Sequence, residues 1–128
     1  MLNINLDHII VAVNDMDKSV AFWKEILDVE IEGSAGPFTV VRITPELTFQ
    51  FAPWGTKGGE HFAFALNKAE FEAVFVKIKK AGIPFGDSFH NVGTQTGPGE
   101  EEGAKGMGLA VYFNDPNAHL LEIRTYDN

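Results

Sequence analysis

Apolar and polar positions along the chain repeat in order. Residues 8–14 read HIIVAVN and residues 61–67 read HFAFALN; each run opens on His and closes on Asn six residues later. A short apolar run of this kind, followed by a 3.6-residue period, reads as a strand leading into a helix. The first helix is expected over about Asp15 to Asp28, with Met16, Val20, Trp23 and Leu27 on one stripe. The second is expected over about Lys68 to Ala81, with Phe71, Val74, Phe75 and Ile78 on its stripe. Asn14 and Asn67 are the expected N-caps, and Glu70 completes a capping-box pattern with Asn67. Gly82 is the expected residue just past the second helix.

Strand-like runs follow each helix. In the first half they are Val29–Glu32, Phe38–Thr44 and Leu47–Ala52; in the second they lie near Pro84–Phe85, Leu109–Phe113 and Leu120–Tyr126. Gly, Pro and acidic residues separate them. The order is therefore βαβββ twice, an α+β chain with one module over about 1–54 and another over about 60–128. The segment from His90 to Gly108 is rich in Gly and Glu and has no apolar period. It is expected to be a mobile loop, with 91–107 covering the site when a ligand binds.

Alternation in strands makes parity informative. His8, Ile10 and Ala12 share one face of the first strand, and Ile9, Val11 and Val13 the other. His61, Ala63 and Ala65 oppose Phe62, Phe64 and Leu66. Thr48, Gln50 and Ala52 oppose Leu47, Phe49 and Phe51. Leu120, Glu122 and Arg124 oppose Leu121 and Ile123, and Ala110 and Tyr112 oppose Val111 and Phe113. Each strand thus has a bulky apolar face fit to pack under helices. Its other face mixes small residues with His, Gln, Glu, Arg and Tyr, which leaves room for a pocket with polar groups on its floor.

Charge and composition narrow the partners. The chain has 128 residues, enough for one sizeable core, and a net charge of −8. An acidic balance disfavours nucleic acid and anionic membranes. With no Cys, thiolate metal sites and thiol nucleophiles are excluded. No apolar stretch approaches the ~20 residues that span a bilayer, and the opening MLNINLDHII is not a signal peptide. A cytoplasmic protein acting on a small molecule is the expectation.

One His at the head of a strand is most often a turn or core residue. Two at matching places of a duplicated unit become neighbours if the copies pair about a pseudo-twofold axis, and Glu122 on the last strand adds a carboxylate. Two imidazoles and one carboxylate suit Fe²⁺, Mn²⁺, Zn²⁺, Co²⁺ or Ni²⁺. Gln50 holds in the first copy the place of Glu122 in the second, either as a neutral ligand or as a polar wall. Tyr112 is the candidate for proton transfer. Arg42 and Arg124 are candidates for clamping a substrate anion, or else pair with rim carboxylates. His119, on the opposite parity from Glu122, is expected to stabilise the DPNAH turn.

The stretches LDHIIVAVNDMDKSVAFWKEIL, HFAFAL and YFNDPNAHLLEIRT resemble the vicinal oxygen chelate superfamily, which includes glyoxalase I, extradiol dioxygenases and bleomycin-binding proteins. The resemblance spans essentially the whole chain. It implies an open, mostly antiparallel, cup-shaped sheet around a divalent metal, with His8, His61 and Glu122 as ligands. It implies bidentate binding of adjacent substrate oxygens, by an extradiol dioxygenase-like or lyase/isomerase-like enzyme. The alternative is a non-catalytic, drug-binding protein of the bleomycin-resistance kind. Tyr112 stands ten residues before Glu122, as in the extradiol dioxygenases and fosfomycin thiol transferases. Glyoxalase I has Glu where this chain has Gln50, and the fosfomycin enzymes have a polar residue where it has Ile10. Homodimers that exchange modules occur in the superfamily, so a homodimer is expected.

Overall fold

The computed structural model describes residues 1–127, in two compact units, Met1–Lys57 and Gly58–Asn128. The first unit runs β1 (His8–Ala12), α1 (Met16–Leu27), β2 (Glu30–Ala35), β3 (Phe38–Arg42) and β4 (Thr48–Ala52). Its open sheet has the order β1-β4-β3-β2. β1 and β4 are parallel, with His8 opposite Thr48 and Ile10 opposite Gln50; the other pairs are antiparallel. Val11, Val13, Val41, Phe49 and Phe51 are buried, as is Trp23 of α1. Trp23 packs edge-on against Phe49 and Phe51, with ring centroids 5.7 and 5.4 Å away. Burying each such side chain stabilises the unit by about 1.5–3 kcal/mol.

The second unit runs β5 (His61–Ala65), α2 (Lys68–Lys80), β6 (Phe85–Gly86), β7 (Gly99–Gly103), β8 (Gly106–Asn114) and β9 (Leu120–Thr125). Its sheet has the order β5-β9-β8-β6, with β7 also paired to β8. Again the first strand pairs parallel with the last, and the rest are antiparallel. Phe71, Ile78, Phe85, Val111, Phe113, Leu121 and Ile123 fill the core under α2. Among the described residues no helix is long and apolar enough to cross a membrane. Both units are α+β, with open, mostly antiparallel sheets.

Three local expectations are corrected. Asp15, not Asn14, caps α1, its carboxylate accepting from Lys18 N at 3.0 Å. The Asn14 side chain instead accepts from Thr56 N at 2.7 Å, a tertiary bond that a local pattern does not reveal. The buried stripe of α1 centres on Ser19, Trp23 and Ile26, with Met16, Val20 and Leu27 half-buried at its edges. Part of the segment expected to be a loop is a hairpin, β7 to β8, closed by Gly103 opposite Gly106. Its register rests on backbone bonds, so the absence of an apolar period did not prevent it. The cap of α2 follows expectation: Asn67 and Glu70 form a reciprocal capping box, and Gly82 has φ +69°.

Candidate metal centre

In the second unit, register brings the chemistry-bearing residues onto one sheet face. Glu122 lies between Ala63 on β5 and Tyr112 on β8, and Arg124 between Ala65 and Ala110. The three alanines keep this face low. Beside it is a cavity of about 360 Å³, lined in part by His61, Ala63, Ala65, Glu122 and Arg124 and by the hairpin tip at Gly103, Ala104 and Lys105.

Glu122 is buried and approached at both oxygens. Its Oε2 accepts from Arg124 Nη1 at 2.7 Å. Its Oε1 lies 3.2 Å from His61 Nε2. The His61 ring stacks near Tyr112, with centroids 6.2 Å apart and planes 13° apart. The Tyr112 phenol pKa is pushed up to about 12, first by burial and then by the neighbouring Glu122 carboxylate. Tyr112 therefore carries its proton across the physiological range.

His61 Nδ1 lies 3.2 Å from the Leu120 carbonyl. A carbonyl only accepts, so Nδ1 carries the hydrogen and Nε2 is turned toward the carboxylate. A neutral ring would set a lone pair against an anionic oxygen there. A proton or a cation between the two atoms removes that repulsion, so the pair fits a divalent ion. Tying the far ring nitrogen to a carbonyl is also how metal-binding imidazoles are oriented.

In the first unit, His8 Nδ1 lies 2.7 Å from the carboxylate of the neighbouring Asp7. Gln50 is half-buried on the face His8 shares, opposite Ile10. Arg42 forms a two-pronged pair with Glu32, at 3.0 and 2.9 Å, and donates to the carbonyls of Thr44 and Pro45. That pairing holds the Glu32 carboxyl below its ordinary pKa. Both arginines weighed as substrate clamps thus have carboxylate partners: Arg42 has Glu32, and Arg124 has Glu122. Among the described residues no group of three or more His, Cys, Asp or Glu side chains is placed to hold a metal ion; within the second unit the close donor pair is His61 and Glu122.

Parity had not included Glu101, yet Glu101 pairs opposite Gly108 and so shares the face of Ala110 and Tyr112. Its charge is close enough to help raise the Tyr112 pKa. Alternation within Gly-Glu-Glu-Glu-Gly was the available signal, once that run is recognised as a strand. His119 is buried. Its N–H donates to Asp115 Oδ1, which also accepts from Asn117 N, and its Nδ1 faces Glu60 N at 3.4 Å. It belongs to the turn that delivers β9.

The family model of the Glyoxalase/Bleomycin resistance protein/Dioxygenase superfamily matches residues 5–123. The chain belongs to this superfamily. Similar curated members include a glutathione transferase, FosA, of Serratia marcescens, 27% identical over 126 residues covering 93% of this chain and 79% of that one. A metallothiol transferase, FosB, of Shouchella clausii is 22% identical over 129 residues, covering 94% and 79%. Among solved structures, the oxidase ChaP-H2 is 29% identical, with a TM-score of 0.81, and the match covers 97% of this chain and 94% of that one. Superfamily relatives of this chain are thus enzymes of transferase and oxidase type.

Proposed function

We propose that this superfamily member is a metal-dependent enzyme acting on a small substrate held through two adjacent oxygens, with His8, His61 and Glu122 as ligands and Gln50 as a neutral fourth. The observation that carries the reading is the aim of His61 Nε2 at Glu122 Oε1, 3.2 Å away, with the far ring nitrogen tied to a carbonyl. A divalent ion bound there would act as a Lewis acid on developing oxyanion charge. The chain's own residues do the rest. Tyr112 holds a proton at Oη beside the reacting face. The alanine floor admits a flat substrate. The hairpin tip limits access of water, and Lys105 brings a positive charge to the cavity wall.

Within this class, extradiol-type oxidation of a diol stands first, supported by the similarity to an oxidase and by a Tyr112 that stays protonated. A lyase or isomerase reading is favoured by one observation, Glu101 on the same face, which would supply the base for proton abstraction. The two βαβββ modules belong to one vicinal oxygen chelate domain, and two chains form a homodimer.

The test begins with metal content after purification without added metal, followed by oxygen-uptake assays on catechols and isomerase assays on a small carbonyl panel. His8→Ala and Glu122→Ala should each lose metal. Mixing the two inactive variants should restore binding to part of the sites if each site draws on two chains, because one of the two mixed sites then has neither substitution. Full metal retention by either variant alone would overturn the ligand set. No recovery on mixing, with subunit exchange verified, would assign each site to a single chain.

A further inference from the structure

Arg124 is 3% exposed, and its guanidinium is held from several sides. Nη1 donates to Glu122 Oε2 at 2.7 Å, and Nη2 donates to the Glu101 carbonyl at 2.9 Å. Cζ lies 4.7 Å from the centre of the Tyr126 ring. The hairpin backbone lies close against the same group. A Cβ on Gly103 would run into Arg124 Cζ and the Tyr126 hydroxyl and lie 2.6 Å from Arg124 Nε, and one on Gly108 would lie 3.1 Å from Nη2. The buried Nε has no hydrogen-bond partner among the described residues.

A buried ion pair with an unpartnered donor is a poor device for stability. Desolvating both ions costs several kcal/mol, and an apolar pair of similar size often does as well. What this arrangement supplies is orientation. The fork occupies Oε2 and anchors its other arm on the hairpin backbone, so the carboxylate cannot rotate without breaking one of two short bonds. Oε1 is left as the oxygen facing His61.

We propose that Arg124 is a positioning residue that fixes the Glu122 carboxylate to present one oxygen to the metal, with the β7–β8 hairpin as its second anchor. The inference rests on Glu122 being a ligand. A carboxylate freed from the fork can turn and bind through both oxygens, which changes the coordination number and hence the ligand field. Gly103 belongs to the same device. Any side chain there crowds the guanidinium and the Tyr126 hydroxyl that borders it while leaving every proposed ligand and every charge in place.

The test is titration of the full chain with Co²⁺, whose visible d–d absorption reports coordination number, in the wild type and in Arg124→Gln, Arg124→Lys, Gly103→Ala and Glu122→Ala. Loss of a residue that orients a ligand typically weakens metal binding by about 10–100-fold. Arg124→Gln should fall in that range with an altered spectrum. Arg124→Lys keeps the charge but not the fork, and should recover affinity only in part. Gly103→Ala should shift the spectrum in the same direction as Arg124→Gln. A merely structural Arg124 would lower the unfolding temperature and leave the spectrum and affinity of the folded protein at wild-type values; that result in Arg124→Gln and Gly103→Ala, beside a Glu122→Ala that has lost the metal, overturns the proposal. If Arg124→Gln fails to fold, Gly103→Ala decides alone by the same criterion. Wild-type Co²⁺ affinity in Glu122→Ala would instead overturn the ligand assignment, and the inference with it.

Discussion

Replacing Tyr112 by Phe removes one hydroxyl from the centre of the candidate site and keeps the ring that stacks near His61. The hydroxyl is near enough to Glu122 for that carboxylate to raise its pKa, and a hydrogen bond to a charged group contributes at most about 1.5–3 kcal/mol. The variant leaves no orphan, because the carboxylate retains Arg124 at 2.7 Å. The stability loss should therefore sit near the lower end, about 1–2 kcal/mol, or a few degrees in Tm for a chain of this size. At assay temperature such a variant remains almost wholly folded, so reduced stability does not lower the measured rate appreciably. A group that transfers a proton contributes about 10²–10⁴-fold in rate, well above any folding effect. The assay is metal content and turnover measured on the same preparation, with a thermal melt as control. Tyr112→Phe should keep its metal and lose at least about 100-fold in rate. Retention of both metal and full rate would refute the argument and leave Tyr112 as a packing residue beside His61, with proton transfer falling to Glu101 or to solvent.

Other perturbations have equally definite expectations. Trp23→Ala opens the core of the first unit beneath Phe49 and Phe51 and should cost about 3–5 kcal/mol by denaturant unfolding; a loss under 1 kcal/mol would mean the unit packs otherwise. Asn67→Ala removes the capping box of α2 and should cost about 1 kcal/mol by the same measurement. Because the folded Tyr112 pKa is raised to about 12, its contribution is complete below the unfolded value of about 10 and is lost as pH rises through 12; the stability gap between wild type and Tyr112→Phe should narrow across that window in an alkaline titration. Glu32 has the opposite sign. Its folded pKa is lowered by Arg42, so its contribution is present above the unfolded value and fades as pH falls through the lower folded one; Arg42→Ala should flatten that acid-side slope, and high salt should shrink the difference.

Most of this architecture was legible because strand alternation and helical periodicity are local properties. Parity put His61, Tyr112, Glu122 and Arg124 on the polar face of their strands before any pairing was known, and the register joins those faces. What parity does not contain is partner choice. Arg124 was a candidate for binding substrate, and only three-dimensional packing reveals that it grips Glu122 and the Glu101 carbonyl. Gly-Glu-Glu-Glu-Gly lacked the apolar residues by which strands are recognised, so β7 and the place of Glu101 were missed. Asn14 and Asp15 are both good caps, and the competition is decided by the long-range bond from Thr56. The full burial of Ser19 likewise reflects close approach to the sheet, which a small side chain permits and a hydropathy pattern does not record.

The parallel pairing of β5 with β9 bears on the order in which the protein is made. His61 and its backbone partner on β9 are 59 residues apart in sequence, and Glu122 is on the same late strand. A ribosome that has released α2 has exposed the His61 strand with nothing to pair against. Closing so long a loop is the slow, entropically opposed step of folding, and here it waits on the synthesis of β9. The first unit, ending by Lys57, is free to collapse earlier. His61 and Glu122 are therefore brought together only after β9 has emerged, at the same moment that the sheet carrying them is completed.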